Sequence, residues 1–99
     1  MSVLMEFAIF PTDKGESVSA YVARVLRVVE ESGHPFQLTA MGTIVETATM
    51  PEATALLNAA YAVLAPDSNR VYAVAKFDVR KGPLGRLEAK VRAVREKLR

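Results

Sequence analysis

The chain predicts an α+β domain in which a four-stranded antiparallel sheet carries two crossover helices on one face and ends in an additional C-terminal helix. Three observations carry that expectation. Runs with period-two alternation occupy residues 3–10, 36–47 and 70–80, and between them apolar residues return every three or four positions. The resulting order is strand, helix, strand, strand, helix, strand, helix. A length of 99 residues with 51% hydrophobic and 24% charged content suits one core and leaves no material for a second, so residues 1–99 are expected to form a single domain.

The first strand, Val3 to Phe10, places Val3, Met5, Phe7 and Ile9 on one wholly apolar face and Leu4, Glu6, Ala8 and Phe10 on the other, and Pro11 ends it. PTDKGE then reads as a turn-rich loop. From Ser17 to Ser32, Val18, Tyr21, Val22, Val25, Leu26 and Val29 fall on one helical stripe, with Ser17 as the expected N-cap and Gly33 as the stop. His34-Pro35 cannot continue a helix. Phe36 starts the second strand, with Phe36, Leu38 and Ala40 on one face and Gln37, Thr39 and Met41 on the other. Gly42 marks a tight turn or bulge before the third strand, Thr43 to Thr47.

Thr49-Met50-Pro51-Glu52 has the form of a capping box, with proline in the first turn and a glutamate three residues after the cap. The second helix it opens turns Ala53, Leu56, Leu57, Ala60 and Leu64 inward and stops at Pro66-Asp67-Ser68-Asn69. From Arg70 to Arg80, Val71, Ala73, Ala75, Phe77 and Val79 share one face of the last strand, and the link KGP leads to the third helix. Right-handed crossovers put the first two helices on the same side of the sheet. The architecture expected is therefore a ferredoxin-like βαββαβ sandwich with an additional C-terminal helix.

Several function classes drop out at this point. The chain contains no cysteine and one histidine, His34, so it offers no thiolate nucleophile and no recognisable transition-metal spacing. Neither DKGE nor GPLG matches a phosphate-binding loop. The start of the chain alternates and includes Glu6 instead of showing the basic start and apolar run of a signal peptide, and the expected location is the cytoplasm. Net charge is +2, yet residues 81–99 hold seven Lys/Arg against two Glu, a balance of +5, which leaves −3 for residues 1–80. That basic segment lacks aromatic residues for stacking on bases, so no nucleic-acid partner is expected. Its apolar positions Leu84, Leu87, Val91, Val94 and Leu98 form the narrow stripe of a helix packed on one partner surface.

With helices on one face only, the outward strand residues report what the other face meets. Leu4, Phe10, Met41, Tyr72 and Val74 make that face too apolar for plain solvent, which points to an oligomer built through the sheet. Glu6, Glu46, Lys76 and Asp78 stand in this apolar setting. They either pair across neighbouring strands and fix register, or line a pocket for a small cationic or amine-bearing ligand, with Tyr72 available for cation–π contact.

An early Glu6 strand ending at Pro11, the helix start Ser17-x-Ser19-x-Tyr21-Val22, the hairpin Met41-Gly42-Thr43-x-x-Glu46 and Arg70-Val71 leading to Lys76-x-Asp78-x-Arg80 resemble the family of small thiamine-binding ferredoxin-like proteins. The resemblance covers essentially the whole chain in order. It implies a homo-oligomer, commonly a tetramer, that binds thiamine or its hydroxymethylpyrimidine moiety without transforming it, and needs no cofactor. Met41, Thr43 and Glu46 correspond to the family hairpin, Ser17, Ser19 and Tyr21 to the helix start, and Lys76, Asp78 and Arg80 to the last strand. An aminopyrimidine presents an amine donor beside ring-nitrogen acceptors. Glu46 and Glu6 are the candidates for the amine or the thiazolium charge, with Thr43, Ser19 and the backbone near Gly42 supplying the remaining hydrogen bonds. The residues themselves leave two other functions open: a small cofactor-free oxygenase or isomerase using Glu6, Glu46 or Asp78 as base, and a purely structural assembly module.

Overall fold

The apolar face of the first strand is where the fold is centred: Val3, Met5, Phe7 and Ile9 are all buried, and the rest of the core assembles against them. The computed structural model describes residues 1–99. The elements are β1 (Ser2–Pro11), α1 (Ser19–Ser32), β2 (Phe36–Thr39), β3 (Gly42–Thr47), α2 (Met50–Leu64), β4 (Val71–Arg80) and α3 (Arg86–Lys97), with a 3-10 turn at Ala65–Asp67. The sheet runs β2-β3-β1-β4 and each neighbouring pair is antiparallel. This is the ferredoxin-like arrangement with an extra C-terminal helix.

Val25 and Val29 of α1 and Ala53, Leu56, Ala60 and Leu64 of α2 complete the core on the helix side, together with Val45 of β3. Arg24 ties the two helices. Its guanidinium donates twice to the Asp67 carboxylate at 2.9 Å and once to the Val63 carbonyl, and lies 5.2 Å from the Tyr21 ring centroid. The capping box at α2 forms: the Glu52 N–H donates to the Thr49 hydroxyl at 3.2 Å, and that hydroxyl donates to the Glu52 carboxylate at 2.8 Å. The glutamate thus answers the threonine side chain. Gly33 stops α1 in the left-handed region at φ 76°.

Local differences from expectation have local causes. The N-cap of α1 is Val18, not Ser17. The Val18 carbonyl accepts from Tyr21 and Val22, while the Ser17 hydroxyl lies 3.4 Å from that of Ser19 and caps nothing. β2 ends at Thr39, because the Thr39 hydroxyl accepts from the Met41 N–H and donates to the Gly42 carbonyl, closing the chain at Ala40-Met41. Gly42 is needed for close approach: a Cβ there would meet the Phe7 carbonyl oxygen at 2.9 Å. Ala73 and Val79 stay exposed on the helix side of β4, since α1 and α2 lie over β1 and β3 and β4 is the sheet's edge.

Candidate ligand-binding site

Register decides which of the charged residues meet on the face away from α1 and α2. Glu6 lies directly opposite Lys76, and the two pair at 3.0 Å with Lys76 largely in solvent. Glu46 lies opposite Leu4, one pleat along. Lys76 is therefore answered by Glu6, and Glu46 is left to a different partner.

That partner is α3. The carboxylate of Glu46 accepts from the backbone N–H groups of Gly85 at 3.0 Å, Arg86 at 3.1 Å and Leu87 at 3.3 Å, and from the Ser2 hydroxyl. The unsatisfied amides of a helix start carry partial positive charge, so a carboxylate is the natural group to receive them. Burial pushes the Glu46 carboxyl up, but the Ser2 hydroxyl and the three amides outweigh it and hold the group below the usual carboxylate range. Arg86, itself buried, donates to the Ser2 hydroxyl, to the Ser2 and Asp78 carbonyls and to the Asp78 carboxylate. Asp78 also accepts from Lys90 at 2.9 Å, and hydrogen bonds from Lys90 and Arg86 lower its pKa. Ser2 and Arg86 were not anticipated as partners. The visible signal was a lone arginine directly after the KGPLG link, where a helix start could return to the sheet.

A cavity of about 230 Å³ lies elsewhere, between Phe7–Phe10 of β1, the inner face of α1 and the hairpin tip. Its origin is a mismatch in strand length. β1 pairs with β4 from Ser2 to Pro11 but with β3 only from Val3 to Phe7. Ala8–Phe10 thus have a strand on one side and none on the other, and the apolar side chains of Val22, Leu26 and Leu38 wall the gap. A strand edge offers N–H and C=O groups side by side. No titratable side chain lines the cavity; its polar side chains are Thr39 and Thr43.

The candidate residues therefore divide. Met41 and Thr43 wall the cavity. Ser19 lies on a surface groove with Glu16 and Glu30, continuous with the cavity through Val18, Val22, Leu26 and Leu38. Glu6, Lys76 and Asp78 border a separate depression beside Lys90 on the opposite sheet face. Tyr72 leans on Phe10 at 5.9 Å between ring centroids and is half exposed. Glu46 is committed under α3. No group of three or more His, Asp or Glu side chains that could hold a metal ion occurs in the chain, and no helix is long and apolar enough to cross a membrane.

Comparison with known proteins bears on this arrangement. The family described as thiamine-binding protein matches residues 5–95. A UPF0045 protein of Mycobacterium bovis is 39% identical over 94 residues, covering 95% of this chain and 92% of that one. The crystal structure of a Methanocaldococcus jannaschii protein superposes with a TM-score of 0.86 at 32% identity, over 96% of this chain and 97% of the other. A Thermotoga maritima structure, of a protein assigned provisionally to thiamine biosynthesis or salvage, superposes with a TM-score of 0.81 over 95% of this chain and 99% of its own. At 16% identity it attests the shared fold.

Proposed function

We propose a ligand and a site from one premise: the chain belongs to the thiamine-binding protein family. The ligand is thiamine or its hydroxymethylpyrimidine moiety, bound without being transformed. The aminopyrimidine ring enters the cavity between α1 and the hairpin. The observation that carries this reading is the free edge of β1 at Ala8–Phe10 inside an apolar cavity of about 230 Å³, because an amine donor beside a ring-nitrogen acceptor matches a carbonyl beside an N–H. Thr43 and Thr39 add hydroxyls, and Met41 covers the ring. The thiazolium, when present, stays outside the apolar part, along the groove that holds Ser19, Glu16 and Glu30, since burying an unpaired cation is costly.

A wall without titratable side chains supports binding over catalysis, as no general acid or base faces the ligand. Leu38 and Met41, on the cavity wall, are 59% and 87% exposed, which favours a mouth closed by another subunit. A homotetramer needs two self-complementary surfaces, and this mouth and the opposite sheet face are the two on offer. Cytoplasmic residence goes with this reading of a cysteine-free chain.

Calorimetry with thiamine and with hydroxymethylpyrimidine tests the site. Saturable heat is expected from both. Thr43→Val removes a hydrogen bond of about 0.5–1.5 kcal/mol and weakens binding roughly two- to tenfold, whereas Val22→Trp fills the cavity and abolishes it. Glu6→Gln leaves affinity unchanged. The absence of heat at millimolar ligand, or loss of binding in Glu6→Gln with Val22→Trp still competent, would move the ligand out of this cavity.

A further inference from the structure

The basic residues of α3 are sorted by flank. On the side toward β4, Lys90 bonds the Asp78 carboxylate at 2.9 Å, and Arg86 shares that carboxylate from the helix start. Arg92, Arg95 and Arg99 lie on the other flank, where they line a groove of about 560 Å³ that Gln37 of β2 also borders. The helical period puts these three arginines within about 60° of one another around the axis. Lys97 falls nearly opposite Arg95 and takes no part in the groove.

Missing compensation sets this flank apart. The residues three or four positions from Arg95 are Val91, Arg92, Leu98 and Arg99. Every charged neighbour at helical spacing is therefore another arginine, and like charges so placed destabilise a helix. Neither Arg95 nor Arg99 forms an ion pair. Two glutamates share the groove: Glu88 holds Arg92 at 3.7 Å with both side chains largely in solvent, and Glu96 pairs with none of the three arginines. Leu87 and Val91 add an apolar patch to the lining.

A guanidinium fork can donate two parallel hydrogen bonds to a phosphate, which an ammonium cannot match. A multiply charged anion set among Arg92, Arg95 and Arg99 turns their mutual repulsion into shared attraction. The groove has the volume of a small-molecule site, more than a bare phosphate needs, and its apolar patch suits a carbon frame. We propose that this groove binds an organic phosphate carrying two or more negative charges, with Arg95 at its centre, Arg92 and Arg99 beside it and the Gln37 amide contributing from β2. No aromatic residue lines the groove for a base to stack on, which favours a small phosphate over a nucleic-acid strand. Leu38, the next residue along β2, lines the α1 cavity. The two sites thus lie on opposite sides of one strand, and this proposal does not rest on the thiamine reading.

Calorimetry with inorganic diphosphate at about 0.1 M salt, which screens exposed charges beyond about 10 Å, should give saturable heat with one diphosphate per chain. Arg95→Gln and Lys97→Gln remove the same charge from exposed positions of one helix, and circular dichroism should show both variants folded. Arg95→Gln should weaken binding roughly tenfold or more. Arg95→Lys keeps the charge but loses the fork and should weaken it severalfold, whereas Lys97→Gln should leave it unchanged. The absence of saturable heat at millimolar diphosphate overturns the proposal. So does an equal loss in Arg95→Gln and Lys97→Gln, the mark of a general charge atmosphere. A short single-stranded oligonucleotide that displaces diphosphate and binds more tightly than it does would overturn the proposal by giving the flank to nucleic acid.

Discussion

Replacing Glu46 should release α3 from the sheet. The carboxylate is 2% exposed and receives three backbone N–H groups and a hydroxyl. Hydrogen bonds to a charged acceptor contribute about 1.5–3 kcal/mol each, and the helix start adds up to about 2 kcal/mol, but removing the carboxylate from water offsets much of that sum. Leaving the Gly85–Leu87 amides and Ser2 without an acceptor should make Glu46→Ala less stable by roughly 3 kcal/mol. At about 4–8 °C per kcal/mol for a domain of this size, the melting temperature falls by about 12–24 °C. Glu46→Gln keeps one acceptor oxygen and should lose about half as much. The pH dependence follows from the lowered pKa. The native carboxyl binds a proton less readily than the unfolded one, so its stabilisation is complete above the ordinary value of 4.5 and is lost as pH falls through the lower native value. Urea titrations of wild type and Glu46→Gln should therefore differ most near neutrality and converge toward pH 3, and hydrogen exchange at Gly85–Leu87 should accelerate in both variants. A loss below about 1 kcal/mol in Glu46→Ala, or a wild-type to Gln gap that stays constant down to pH 3, would refute the anchoring role.

Two other substitutions probe the hairpin that walls the cavity and the cap of α2. Gly42→Ala brings a Cβ within 2.9 Å of the Phe7 carbonyl oxygen, and since backbone cannot yield as a side-chain tip can, a loss of about 1–3 kcal/mol in denaturant titration is expected. Its affinity for hydroxymethylpyrimidine should fall as well, because the hairpin is pushed off β1. Thr49→Ala removes both hydrogen bonds of the α2 cap and should cost about 1 kcal/mol, with Thr49→Ser recovering most of it.

Period and punctuation made most of the fold legible. β1 and β4 alternate over ten residues each, long enough for the inward face to be unambiguous, and the α2 cap is encoded within four residues. What escaped was non-local. Alternation places Glu46 on the outer face, but only the tertiary return of residues 85–87, some forty positions later, shows that the face is roofed there. The same return turns Ser2 and Arg86, 84 positions apart in sequence, into buried partners. The cavity depends on a comparison of lengths: a ten-residue β1 meets hairpin strands of four and six residues, so its far end must lack a neighbour, and that difference could have been read from the residues.

The position of Glu46 also explains why α3 can extend so far with so little support. A helix held only by an apolar face would pivot about it. One whose first three amides share a single buried carboxylate, with Arg86 bonded to both β1 and β4, has its axis set at the start. Those bonds fix the direction of the apolar stripe Leu87, Val91, Val94 and Leu98 without packing along the rest of the helix. The carboxylate that looked from sequence like a ligand's counter-charge thus has a prior claim from the chain itself.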